Sequence, residues 1–263
     1  MNSNYVIDRI RGFIKYMPLL NQLVKRDIKV RYRKSFLGML WTVLNPLMMM
    51  GVMTIVFSTL FESNIENFPV YFLTGNLIFA FNSEATQQAL SSIIGNSLLI
   101  KKIYVPKYLF PVSRVVSCLV NFFFSFIALL IVMIVTKAKF YITILLIPLP
   151  ILALLLFTIG LSLLLSSITV FFRDIGHFYG VFILAWNYLT PVFYPVTILP
   201  ERFRWIVNFN PLYHYITYFR LLVRDGVFPS FELNLYCFGM GIAMLIIGVA
   251  IFWKKQDRFI LYI

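Results

Sequence analysis

Apolar positions along this chain come in long continuous runs, bounded by short clusters of charge. From Ser35 to Phe61 there is no charged residue, while six cations crowd into residues 25–34 just before it. A helix needs about 20 mostly apolar residues to cross the hydrocarbon core of a bilayer. Six segments meet or approach that length: about 36–61, 69–90, 108–136, 141–171, 177–198 and 233–253. The second is the least uniform, since it carries Asn76, Asn82, Glu84, Gln87 and Gln88. The pattern predicts an all-α membrane protein, with residues 35–263 forming six transmembrane helices.

Residues 8–34 read differently. On a helical wheel Leu20, Leu23, Val24, Ile28 and Tyr32 share one face, while Lys25, Lys29 and Arg33 recur every fourth residue on the other. Such a cation-rich amphipathic helix lies in the membrane surface with its basic side toward water and anionic headgroups. Residues 1–34 are therefore expected to form a cytoplasmic interfacial unit. Asp27 and Arg31 interrupt its apolar face at a spacing of four, where they can pair with each other or meet a docked protein.

The fifth segment ends in "AWNYLTPVFYPVTILP" (185–200), and Pro191, Pro195 and Pro200 rule out a regular helix there. Broken backbone at membrane depth is tolerated only when it is buried in protein or lines a cavity. The next stretch is too polar for a plain span and too aromatic for a plain loop, with Trp205, Phe209, Tyr213, Tyr215, Tyr218 and Phe219. Re-entrant outer helices between spans five and six are the expectation.

Composition agrees with a membrane class: the chain is 60% hydrophobic and only 13% charged, with a mean hydropathy of +0.86. Soluble domains run near 25% charged. The net charge of +13 does not mark a nucleic-acid binder, because most cations flank apolar runs instead of forming one solvated face. Lys and Arg accumulate on the cytoplasmic side of spans. An inside N-terminus puts 17 of the 23 cations on that side, so both termini are expected to be cytoplasmic. The first apolar run starts too late and runs too long for a cleaved signal peptide.

Catalytic and metal motifs are missing from the sequence. No glycine opens a G-x-x-x-x-G-K-[ST] run, and there is no H-E-x-x-H, C-x-x-C or G-x-S-x-G. His177 and His214 stand apart from other ligand types, so no metal site is expected. Polar residues within spans remain. Ser and Thr stripes such as Thr158, Ser162, Ser166 and Thr169 suit helix packing. Glu84, with Asn76, Ser83 and Gln87 close by, is an ionisable group at membrane depth that either lines a pathway, is paired or sits near an interface.

Three stretches carry a specific resemblance. "KRDIKVRYRKSFLGMLWTVLNPL" (25–47), "SSITVFFRDIGHF" (166–178) and "LTPVFYPVTILPERFRWIVNFNPLYHYITYFR" (189–220) resemble, in family order, the polysaccharide-exporting permeases of the ABC type 2 family. These are the membrane subunits of O-antigen, capsule and teichoic acid exporters in the bacterial cytoplasmic (inner) membrane. The resemblance implies a homodimer with a channel on its axis, working with two copies of a separate ATPase subunit that binds ATP and Mg. This chain itself would carry no cofactor and would be no enzyme. Its partners would be a second copy of itself, the ATPase, membrane lipids and a lipid-linked polysaccharide, with no nucleic acid.

The resemblance also implies residue roles. The interfacial helix, through Asp27 and Arg31, would touch the ATPase. The loop at 92–107, with Lys101, Lys102, Tyr104 and Pro106, would be the main coupling element, and Arg173 and Asp174 would lie on a second cytoplasmic turn. Arg31, Arg33 and Lys34 would frame the doorway for an anionic lipid-pyrophosphate head. Sugars have polar edges and apolar C–H faces, so Trp41, Phe79, Phe81, Trp186, Tyr188 and Tyr194, with Glu84 and Gln87, are candidates to line the channel. Competing readings are a drug or lipid exporter of the same superfamily, an ATP-independent flippase or proton-linked transporter using Glu84, and an integral membrane glycosyltransferase. The last would need a carboxylate-rich loop, whereas the longest loops here are basic and aromatic.

Overall fold

The computed structural model describes residues 3–33, 35–59 and 65–263, with backbone only for 3–14, 58 and 59. Lys34, one of the expected doorway cations, falls outside these residues. All regular structure described is helical. Ten α-helices follow in order: α1 (Ser3–Tyr32), α2 (Trp41–Thr59), α3 (Phe68–Leu90), α4 (Ser97–Lys102), α5 (Leu109–Val135), α6 (Pro148–Phe171), α7 (Ile175–Leu189), α8 (Arg204–Asn208), α9 (Pro211–Arg220) and α10 (Phe231–Lys255). Helix starts carry local signals: Pro69, Pro148 and Pro211 sit in first turns, where the missing N–H costs nothing. The Ser230 side chain accepts from the Leu233 N–H at 3.2 Å and caps α10.

Among the described residues four helical stretches are long and apolar enough to cross a membrane: Gly38–Phe57, Leu109–Val135, Ile142–Phe171 and Phe231–Leu261. They coincide with the expected spans 36–61, 108–136, 141–171 and 233–253. The expected spans 69–90 and 177–198 do not meet that standard, for different reasons. Helix α3 has 23 residues, enough for a crossing by length, but its polar side chains lower its hydropathy. It lies at the centre of the bundle against α2, α5, α6, α7 and α9, so these polar groups find protein partners instead of lipid. Thr158 of α6 donates to Asn82 of α3 at 3.0 Å, and Tyr179 of α7 donates to Thr86 at 2.8 Å. Helix α7 has only 15 residues, about 22 Å, because it stops at Leu189 before Pro191.

The break after α7 is held by two polar side chains. Asn210 accepts from Trp186 Nε1 at 2.9 Å and from the Leu212 N–H at 3.1 Å, and donates to Thr190 Oγ1 at 2.8 Å. It thus caps α9 and ties α9 to the end of α7. Arg220, 7% exposed, donates to the Pro191 carbonyl at 2.9 Å, to Val192 at 2.8 Å and to Tyr71 at 3.2 Å. Carbonyls freed by the proline break are thereby satisfied inside the protein.

Helices α6 and α10 form the closest contact in the bundle. A Cβ added to Gly248 would strike the Gly160 backbone, one added to Gly160 would strike Met244, and one on Gly241 would stand 2.7 Å from the Ala153 carbonyl. Ala153 and Gly160 on one helix face Gly241 and Gly248 on the other at matching intervals of seven, a seam of small residues that lets backbones approach. Gly248→Ala should destabilise the detergent-purified protein by about 1–3 kcal/mol, because the two backbones must move apart. Gly239→Ala, which meets open space, is the control. Equal melting temperatures for the two variants would show that the seam yields freely.

Candidate functional site

The last turn of α1 reaches into the bundle. Arg31 Nη1 donates to Glu84 Oε1 of α3 in an ion pair, and Gln88 Nε2 donates to the same oxygen at 3.0 Å. Tyr32 donates to Asn121 Oδ1 of α5 at 3.2 Å. Ser125, one turn further along α5, donates to the Thr42 carbonyl of α2 at 2.9 Å. These contacts surround a cavity of about 600 Å³ lined by Arg31, Trp41, Asn45, Asn76, Glu84 and Asn121. Burial works to lower the Arg31 pKa, yet the facing Glu84 carboxylate foremost raises it above the ordinary arginine value. The groove therefore has a fixed cation at one edge, an amide floor and an indole wall. Such a surface can hydrogen-bond polar edges and pack apolar faces of one ligand.

Next to the groove, Asp27 is turned inward, its side chain 5% exposed. Its Oδ1 accepts from Arg26 at 3.1 Å, and Arg114 Nη1 of α5 lies 3.2 Å from its Oδ2. Of the two partners that their spacing left open, a local Asp27–Arg31 pair is not formed: α5 supplies a cation to Asp27, and α3 supplies a carboxylate to Arg31. Arg26 also donates to Asn96 Oδ1 at 3.2 Å, just ahead of α4. Ile100 of α4 shares an apolar cluster with Leu20 and Leu23 of α1 and with Phe252 and Phe259 near the chain's end. The 92–107 segment is thus packed directly on α1. Lys107 Nζ fastens its far end to the Gln256 carbonyl at 2.6 Å.

Lys101, Lys102 and Tyr104 are exposed on this segment, and Pro106 is half-buried. Arg173 and Asp174 are exposed on the turn between α6 and α7, and Arg33 is exposed at the end of α1. Trp41 and Tyr188 are exposed, as is Gln87, whose amide lies 3.4 Å from Ser83 Oγ. Trp186 and Tyr194 are half-buried and bonded, Trp186 to Asn210 and the Tyr194 hydroxyl to the Tyr188 carbonyl at 2.7 Å. Phe79 and Phe81 pack in the core of the protomer, edge-on to Trp186 and Phe122 respectively. Arg31, Trp41 and Glu84, singled out for three separate reasons, meet at one groove. Tyr188 and Tyr194 lie apart from it, at the α7 break.

Sequence reasoning missed Asn210 and Arg220 as the pair that secures the break. The Asn-Pro dipeptide at 210–211 was a legible capping signal. Arg220 carries no comparable local signal, because its carbonyl partners lie about 30 and 150 residues away in the chain.

Known proteins resemble this chain over nearly its whole length. The chain is 31% identical over 244 residues to the O-antigen export system permease protein RfbA of Klebsiella pneumoniae, covering 92% of this chain and 93% of that protein. It is 31% identical over 256 residues to the RfbA of Myxococcus xanthus, covering 97% and 98%. The polysialic acid transport protein KpsM of Escherichia coli is 22% identical over 256 residues, covering 94% and 96%. Residues 18–223, the stretch that holds both the groove and the α7 break, match the family described as ABC-2 type transporter, and to that family this chain belongs.

Proposed function

We propose that this chain is the membrane permease of an ATP-driven exporter that moves lipid-linked polysaccharide, an O-antigen, capsule or teichoic acid precursor, out across the bacterial cytoplasmic membrane. The observation that carries this reading is the Arg31–Glu84 joint at the polar groove. It links a cationic interfacial helix, suited to an anionic lipid head, to a passage wall of amide and indole groups suited to sugars. The names of the relatives, O-antigen export and polysialic acid transport, support the same substrate class.

In this reading residues 35–263 cross the membrane six times. Helix α3 is the inward-facing second crossing, and α7 with α9 form the broken fifth crossing and its return. Both termini are cytoplasmic, and residues 1–34 lie along the inner surface. Two copies assemble with α2 toward the shared channel, since only 6% of the Gly38–Phe57 stretch is buried within one protomer against 44% for Ile142–Phe171. Arg31, Arg33 and Lys34 frame the doorway. Trp41, Glu84, Gln87, Trp186, Tyr188 and Tyr194 face the glycan, with Phe79 and Phe81 as backing. Weak, repeated aromatic contacts let a chain slide where one tight site would stop it.

ATP and Mg are held by the partner ATPase, two copies per complex. Its closure acts on Lys101, Lys102, Tyr104 and Pro106, and on Arg173 and Asp174. From that loop, Asn96 and Ile100 convey the displacement to α1, and Asp27 with Arg114 conveys it to α5. ATP favours one conformation only through such differential contacts.

The test is co-purification from native membranes in mild detergent, followed by ATPase assay with added lipid-linked glycans. We expect an equimolar ATPase and hydrolysis stimulated by a glycan-bearing lipid but not by the bare carrier lipid. Stimulation by amphipathic drugs instead would assign the chain to a drug exporter. Failure of any ATPase to associate, while a control complex survives, would overturn the reading.

A further inference from the structure

The outer ends of the same helices enclose a second cavity. It measures about 1030 Å³ and lies between the start of α3, the turn after α5 and the α9 region. Its α3 wall at Tyr71 is thirteen residues from Glu84, so about 20 Å separates it from the groove. Four cations line it, Lys137, Lys139, Arg220 and Arg224, against two acids, Glu66 and Asp225. One acid is already engaged, since Asp225 accepts from Arg224 Nε at 2.7 Å. Lys137 and Lys139 are exposed and form no ion pair among the described residues.

Two buried polar atoms of lining residues lack partners among the described residues: Asn67 Oδ1 and Arg220 Nε. Asn67 Nδ2 donates to Thr136 Oγ1 at 2.9 Å, and Thr136 Oγ1 bonds the Val132 carbonyl at 2.8 Å, which ties the start of α3 to the end of α5. Tyr141 and Tyr213 add aromatic surface, whereas the Tyr71 ring is covered by the Arg220 guanidinium, 3.6 Å from its centre. The Tyr141 ring stands on Gly226, whose φ of 66° and bare Cα leave room that any side chain would take.

We propose that this cavity is a binding site for a sugar unit bearing an acidic group, either carboxylate or phosphate. Lys137 and Lys139 meet the anion, and the Tyr141 and Tyr213 rings take the apolar C–H face. A neutral sugar would leave Lys137 and Lys139 unanswered, and a bare anion would leave the Tyr141 and Tyr213 rings unused. In the orientation proposed above the site meets the glycan after passage; that consequence rests on the export reading, whereas binding itself does not.

The test is calorimetric titration of the full chain in neutral-lipid nanodiscs with a hexose 6-phosphate, a hexuronate disaccharide, the matching neutral sugars, inorganic phosphate and glycerol phosphate. Both acidic sugars should bind at least about tenfold more tightly than their neutral counterparts, and more weakly at high salt. Lys137→Gln with Lys139→Gln should weaken them about tenfold at unchanged melting temperature, while Lys25→Gln with Lys29→Gln on α1 should not. Equal binding of neutral and acidic sugars, or no effect of the Lys137/Lys139 pair, would overturn the proposal. Inorganic or glycerol phosphate binding as tightly as the hexose phosphate would assign the cavity to lipid headgroups or free phosphate and equally overturn it.

Discussion

Replacing Arg220 with alanine should be among the most damaging single substitutions in this protein. Two carbonyls exposed by the proline break, Pro191 and Val192, depend on its guanidinium fork, whereas Tyr71 also receives a bond from Thr74. Hydrogen bonds to charged groups contribute about 1.5–3 kcal/mol each, so losing two costs about 3–6 kcal/mol before any relaxation. Relief of a buried cation offsets part of this, since no carboxylate is paired with Arg220 among the described residues. The fit is close: a Cβ on Gly75 would stand 2.7 Å from Arg220 Nη2. Arg220→Lys separates charge from geometry, because one ammonium cannot reproduce the planar fork. We expect both variants to accumulate poorly and to melt well below the parent, by roughly 10 °C for alanine. A lysine variant with parental stability would show that the charge alone matters.

Breaking the Arg31–Glu84 pair should damage export far more than stability. Both side chains are partly exposed, 26% and 42%, so the pair adds little to folding. Its proposed role is to hold the interfacial helix against α3 in one conformation, and couplings of this type amount to about 1–3 kcal/mol, or 5–150-fold in a transition. Arg31→Ala and Glu84→Ala are each expected to cut glycan export at least roughly tenfold while the ATPase still associates. Arg31→Glu combined with Glu84→Arg should restore export to within a few-fold of the parent. If the exchanged pair stays as inactive as the single variants, Arg31 acts through substrate capture and the joint is incidental. Collapse of the proton gradient at constant ATP should leave export unchanged; an immediate halt would instead support a proton-linked Glu84.

The fate of individual residues shows where sequence was informative. The spans at 108–136, 141–171 and 233–253 were legible because lipid contact and burial both demand apolar residues, whichever neighbour is present. The break after α7 was legible because proline acts on its own backbone. Helix α3 looked doubtful for a sound reason: its polar groups are tolerated only because five helices surround it. Asp27 and Arg31 satisfy a local spacing rule yet pair elsewhere, because Arg114 and Glu84 come within reach from other helices. Phe79 and Phe81 looked like sugar-facing aromatics and pack inside the protomer instead.

The sequence by itself determined the membrane class, the proline break after α7 and the family, since hydropathy, proline and short motifs act through local backbone and solvent. Only the tertiary structure decided which carbonyls Arg220 answers, which glycines carry the α6–α10 seam, and that Arg31, Trp41 and Glu84 share one groove. Each of those depends on which side chains meet across helices distant in sequence. Partners of that kind are set by packing geometry, which no single segment contains.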